Sequence, residues 1–227
     1  MTVILVLATF TIFILIDYVL SRGKARVEVR EAEPVVVPEP VLAPGMEAVY
    51  VEGYALPTNL RFHPGHTWVM RERKNLVRVG ADEFAVSLLG WVERIDLPNP
   101  GHWVRQGQKA WTVYRDGQEV AMVSPIEGEI VAVNSQLAEN PGLLQQQPYG
   151  KGWVMSVHVP DEESNYRNLL DATLARAWMS DAATRLCARL SEHAGAYAQD
   201  GGRPVSDICA LLPEKAWRGL VHEFLLT

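Results

Sequence analysis

The chain has 227 residues, of which 48% are apolar, enough for one medium domain or a small domain with appendages built on a real core. Its formal charge of −6 argues against a nucleic-acid binder that depends on a basic surface. Cys187 and Cys209 leave a single disulfide open but form no disulfide framework. Of the six histidines only His63 and His66 are close, with no third ligand at metal-site spacing, so no metal is expected.

Residues 2–20, TVILVLATFTIFILIDYVL, are apolar except for three threonines and Asp17. As a helix they reach about 28 Å, close to the hydrocarbon thickness of a bilayer. A cleaved signal peptide and a buried core helix are the competing readings. A retained anchor is favoured, because no positive residue precedes the run and no small-x-small cleavage site follows it. Arg22, Lys24, Arg26 and Arg30 flank only the C-terminal end. The positive-inside rule then places the N-terminus outside and the rest of the chain in the cytoplasm, as in a single-pass protein of a bacterial inner membrane. Asp17 lies within about a turn of that basic end, as a solvated helix end. This gives an anchor over residues 1–21 and a linker over 22–57, basic at first and then proline-rich. Pro34, Pro38, Pro40 and Pro44 make residues 31–45 an extended, semi-rigid spacer.

From residue 58 to 160 the texture is that of a compact β-rich domain. HTWVMRE and NLVRVG read as short alternating strands around a polar turn. ADEFAVSLLG reads as a short helix with Phe84, Leu88 and Leu89 on one face and Gly90 as its stop. WVERIDLP, HWVRQGQKAWTVYR, QEVAMVSP and GEIVAVN follow as strands, then the loop LAENPGLLQQQPYGKGW and a last strand, WVMSVHV. Within them, Asp116-Gly117 is flanked by apolar alternation, a strong signal for a two-residue type I′ hairpin turn. Short strands at close spacing with one small helix imply a compact barrel or sandwich.

Five segments, in order, carry a family resemblance. HTWV is similar to a His-x-Trp strand, and VRVGADEFAVSLLG to a Val-Gly-x-x-x-[Phe/Tyr]-Ala-x-x-x-Leu-Gly segment. ERIDLPNPGHWVRQGQ is similar to the strand, Leu-Pro and two glycines that lead into a modification hairpin. SPIEGEIVAVN is similar to its return strand, and ENPGLLQQQPYGKGW to an Asn-Pro…Pro-Tyr-Gly-x-Gly-Trp loop. Together, from His63 to about Pro160, the chain resembles the H protein of the glycine cleavage system, a member of the lipoyl-domain family. The implied fold class is α+β: a lipoyl/biotinyl-type barrel-sandwich with an N-terminal transmembrane helix and a C-terminal helical extension.

The resemblance also implies a carrier site that this chain lacks. The family carries a lipoyl group on a lysine at the hairpin tip, since only an amine can form the amide. From Gly101 to Ser124-Pro125 no insertion or deletion is needed, so the lysine position falls on Gly117 and an upstream glutamate on Tyr114. Tyr114, Arg115, Asp116 and Gln118 flank Gly117 without supplying an amine. Lys109 is eight residues earlier, and Lys74 and Lys151 lie in other turns. Lipoate is therefore expected to be absent, and no other cofactor is expected. Arg115 and Asp116 remain as a polar tip able to contact a partner, the alternative being a solvated turn.

Residues 161–227 read as a helical extension: a long amphipathic helix over about 165–198, open to a break, then two short helices with Pro213 suited to a first helical turn. Either this extension caps the β-domain, or Trp178, Trp217 and Phe224 form a docking surface. No Gly-x-Ser-x-Gly, phosphate loop or paired ligands are found, so no enzymatic activity is expected. The expected function is a membrane-anchored, non-lipoylated, non-catalytic scaffold or accessory subunit. The alternative is a carrier or regulator in glycine cleavage or lipoate metabolism that uses or mimics the H-protein surface. Protein partners and the membrane are expected, nucleic acid is not. A third reading, similarity to the lipoyl-like domains of secretion adaptors, lacks the sustained heptads those domains interrupt.

Overall fold

A computed structural model describes Leu42, residues 45–194 and residues 207–226. The apolar run 2–20 and most of the proline-rich spacer lie outside the described residues. Among the described residues, no helix is long and apolar enough to cross a membrane.

Alternation of apolar and polar residues over short runs builds eleven described strands, and their pairings are antiparallel. Six of them form one sheet in the order β3 (Arg61–His63), β4 (Thr67–Arg73), β5 (Leu76–Ala81), β11 (Met155–His158), β10 (Gly128–Val133) and β7 (Trp103–Val104). A second sheet has the order β6 (Arg94–Asp96), β8 (Lys109–Arg115) and β9 (Gln118–Val123). Trp68, Val77, Val79, Met155 and Val157 from the first sheet share one buried cluster with Ile95, Trp111, Val113, Val120 and Met122 from the second. This is a barrel-sandwich with a common core.

The structure differs from the sequence expectation at the domain's start. Residues 48–57, expected as the end of the linker, form a hairpin of β1 (Ala48–Val51) and β2 (Tyr54–Pro57), turned at Glu52-Gly53. Tyr54, Ala55 and Leu56 are buried, so this segment belongs to the core. Pro57 is tolerated because it ends the strand.

Helix α1 (Glu83–Leu89) starts at Asp82, whose Oδ1 accepts from the Ala85 amide at 2.8 Å, and stops at Gly90 as expected. Its burial is not one-sided: every residue from Glu83 to Leu89 is buried. Glu83 is accommodated because its Oε2 accepts from the Ala55 amide at 2.7 Å. The Tyr149 hydroxyl donates to the Ala55 carbonyl at 2.7 Å and accepts from the Glu83 amide at 3.1 Å. One phenol thus ties β2, α1 and the Pro-Tyr-Gly turn. The stretch expected as a plain loop contains two short helices, α2 (Ser135–Glu139) and α3 (Leu143–Gln146). Each is about one turn long, too short for hydrophobic periodicity to register.

The extension breaks into α4 (Glu162–Arg167) and α5 (Ala172–Ala194), and between them Leu170 bridges to Phe62 of β3. Asp171 restarts the helix by accepting from the Thr173 and Leu174 amides, each at 3.0 Å. Beyond residue 206 come a single 3₁₀ turn (Cys209–Leu211) and α6 (Glu214–Leu225). Pro213 sits at the N-cap of α6, one position before the first turn. Trp217, Leu220, Val221, Phe224 and Leu225 of α6 are buried in the common core. The extension is therefore a cap on the β-domain.

Replacing Tyr149 by Phe is expected to lower unfolding free energy by about 1–3 kcal/mol in urea denaturation, because two buried groups lose their partner.

Candidate functional site

Asp116 and Gly117 join β8 to β9 with φ of 48° and 73°, the pair of positive values that a type I′ turn requires. The turn expected from Asp-Gly is present. A Cβ added at Gly117 would meet nothing within 4 Å, so the tip itself is open, and Asp116 is exposed.

Arg115 departs from the expectation of an exposed polar tip. Its side chain is 11% exposed and turns inward, away from solvent. Nη1 and Nη2 donate to Oδ1 and Oδ2 of Asp207 at 2.7 and 3.0 Å, and Nη1 also donates to the Leu89 carbonyl at 3.1 Å. This fork-on-fork geometry suits a planar guanidinium and would not suit lysine. Gly90 makes room for it: a Cβ there would stand 1.8 Å from Nη1 of Arg115 and 2.3 Å from Oδ1 of Asp207. Gly90 is also at φ +68°, so it is required twice.

The rest of the tip is held the same way. Gln118 donates to Glu214 of α6 at 3.0 Å and accepts from Arg218. The Trp217 indole donates to the Leu88 carbonyl at 2.8 Å, satisfying a group at the end of α1. Asp116 keeps its side chain in solvent, while its amide donates to Glu93 at 3.1 Å. Tyr114 lies under the Arg94 guanidinium, 3.9 Å from its ring centre. Its hydroxyl is bonded to Asp96, which raises its pKa.

Trp217 and Phe224 are each 2% exposed, so they do not form the docking surface expected for them. Burial of so much apolar area is more favourable inside the chain than exposed on a helix awaiting a partner. Trp178 is partly buried against the core, its ring 4.4 Å from that of His66.

The two neighbouring histidines are also structural. His66 is buried, with Nδ1 2.9 Å from Oδ2 of Asp82 and its ring stacked 4.0 Å from Phe84. His63 accepts from the Gly65 amide at 3.0 Å. Burial, then the charge of nearby His66, push the His63 pKa down to about 4. Among the described residues, no group of three or more His, Cys, Asp or Glu could hold a metal ion.

Sequence reasoning found the turn and missed its clamp. Asp207, Glu214 and Arg218 carried no signal, because their roles depend on contacts across 92, 96 and 100 residues. The Asp82–His66 pair was missed for the same reason.

The residues at the tip do not fit a lipoyl group. An amide to lipoate needs a primary amine, and the turn offers glycine flanked by aspartate and glutamine. Lys109 opens β8 at the opposite end of the hairpin, while Lys74 and Lys151 lie in turns before β5 and β11.

Two antiparallel sheets around one core, with a hairpin presented from β8 and β9, define a lipoyl-type domain. Within that class the comparisons are specific. The glycine cleavage H-protein family matches residues 60–182, running past Pro160 through α4 and into α5. The glycine cleavage system H protein of Mycobacterium leprae is 35% identical over 128 residues, spanning 55% of this chain and 97% of that protein. That of Escherichia coli O45:K1 is 34% identical over 126 residues, spanning 56% of this chain and 97% of that protein. A crystal structure of the Mycobacterium marinum H protein aligns with a TM-score of 0.48 at 26% identity, covering 56% of this chain and 98% of that one. The chain belongs to the glycine cleavage H-protein family.

Two outcomes are expected. Asp207→Ala leaves the Arg115 guanidinium inward-facing with one partner fewer, and lowers stability by about 2 kcal/mol in urea denaturation. For His63, a folded pKa below the ordinary value means that its contribution to stability is complete above about pH 6.5 and is lost as pH falls through about 4. Stability measured between pH 7 and pH 4 is expected to fall by about 2–3 kcal/mol less in His63→Asn, which keeps an acceptor for Gly65 and cannot be protonated.

Proposed function

We propose that this H-protein family member does not carry lipoate and acts as a non-catalytic accessory or scaffold subunit of a larger assembly, held at a membrane by residues 2–20. The observation that carries this reading is the hairpin itself. The position that the family resemblance assigns to the carrier lysine is Gly117, and Arg115 beside it is bound to the chain's own Asp207. A swinging arm needs an amine at a tip that is presented to other proteins. Here the amine is replaced, and the residues next to it are committed to α1, the 3₁₀ turn and α6. The fold then persists as an interaction platform, since fold and function are separable. The predominantly apolar stretch 2–20, with basic residues only on its C-terminal side, supports attachment to a membrane with the β-domain on the cytoplasmic face.

A second reading has its own support. The chain matches 97% of the length of H proteins, so a surface through which it binds glycine cleavage or lipoate enzymes without carrying a group could be retained. In that case it acts as a regulator by mimicry.

Native membranes solubilised in mild detergent, with the tagged full chain captured and its companions quantified by mass spectrometry, separate the two. The accessory-subunit reading predicts membrane-complex subunits in fixed ratio. Recovery of glycine cleavage or lipoate-transfer enzymes in their place would overturn it in favour of the regulator.

A further inference from the structure

Strand β1 pairs with β2 on one side, and no strand among the described residues pairs with the other. Its hairpin turns through Glu52-Gly53 at φ of 49° and 83°, so Val51 and Tyr54 flank a two-residue loop and are hydrogen-bonded. Bonded and non-bonded pairs then alternate, which leaves Tyr50–Ala55 and Ala48–Pro57 non-bonded. The groups of Ala55 show this phase directly. They point away from β1, the amide to Glu83 and the carbonyl to the Tyr149 hydroxyl. The amides and carbonyls of Ala48 and Tyr50 point away from β2 in the same way, and among the described residues no backbone group bonds to them. Helix α5 contacts β1, β2 and β3, so it crosses their face and leaves this edge open.

Strand edges are usually blunted by a charge, a proline or a bulge. Between Glu47 and Glu52 this one reads Ala-Val-Tyr-Val, in unbroken register and with Tyr50 half exposed. The hairpin also precedes residues 60–182, the span that matches the family, so the family domain does not account for it.

The strand is complementary to itself. An antiparallel copy that sets Ala48 against Tyr50 of its mate engages every outward group of both residues, as two bonded pairs of two hydrogen bonds each. Val49 then faces Val49 across the two-fold axis in the closer, non-bonded kind of pair, where β-branched side chains pack. Ala48 leaves room for the Tyr50 ring opposite it. Glu47 falls opposite Val51 and Glu52 opposite Met46, so no acid faces an acid. Shifting the mate by one residue sets outward groups against inward ones. Shifting it by two draws in Met46 or Glu52, which lie outside β1.

We infer that β1 is a self-association edge, on which a second copy of this chain adds its own β1 antiparallel about Val49 and joins the two hairpins into one sheet. The contact is small, in the class that buries less than about 1,200 Å², so the dimer is weak and reversible. It is independent of what the β8–β9 hairpin carries.

The test uses the full chain in mild detergent, with Cys187→Ser and Cys209→Ser so that an introduced thiol reports alone. Under mild oxidation Val49→Cys is expected to form an intermolecular disulfide at least tenfold faster than Ala48→Cys or Tyr50→Cys, since only residue 49 meets its own copy at disulfide distance. Val49→Lys and Val49→Glu, each alone, set like charges opposite one another. Each should weaken association at least tenfold in sedimentation, and an equimolar mixture of the two should restore it. That rescue separates loss of pairing from loss of folding and from association through residues 2–20. Equal cross-linking at the three positions, or no rescue on mixing, would overturn the proposal. So would a monomer whose Ala48 and Tyr50 amides are protected from hydrogen exchange, because the edge would then be covered by the same chain.

Discussion

The guanidinium of Arg115 is the point at which the two halves of the described structure meet. It lies at the last position of β8, one residue before the turn, and is forked onto Asp207, which precedes the 3₁₀ turn and α6. Its third bond, to the Leu89 carbonyl, fixes it against the end of α1, and Gly90 is the residue that leaves space for it. A charge with little exposure to solvent is tolerable only when paired and bonded, as this one is. The apolar work is done beside it by Trp217, whose ring enters the common core while its N–H caps a carbonyl of α1. Ion pair and indole together give the hairpin a fixed place against the rest of the chain.

That constraint changes what a family fold means here. An H-protein domain covers most of the described residues, yet the tip of its hairpin is glycine and the flank of that tip is internal. Gly117 keeps its backbone shape at low cost because φ near +73° is where glycine is at ease and an L residue is strained by about 1 kcal/mol. The turn is present and its tip carries no side chain.

Much of this was legible in the sequence. Asp-Gly between alternating apolar residues specifies its turn locally, and the register from Gly101 to Ser124-Pro125 needs no gap, so the turn and the residue at its tip could be placed from sequence. Helix α1 was legible because the spacing of Phe84, Leu88 and Leu89 and the stop at Gly90 are local signals. The hairpin of β1 and β2 was not, because four-residue strands adjoining a proline-rich stretch give too few alternations to rise above it. The burial of Arg115, Trp217 and Phe224 was not legible either. An arginine beside an Asp-Gly turn reads as solvated, and a tryptophan on a terminal helix reads equally as core or as interface. Only a partner about a hundred residues away decides between them.

The central claim is that no lipoyl group is carried, and the mass of the intact protein purified from its native cells tests it most directly. The account predicts the mass of the polypeptide with no lipoyl addition on any lysine, under growth conditions in which other lipoyl proteins of the same cells are modified. A stoichiometric population heavier by one lipoyl group, mapped by fragmentation to Lys109, Lys151 or any other lysine, would contradict it.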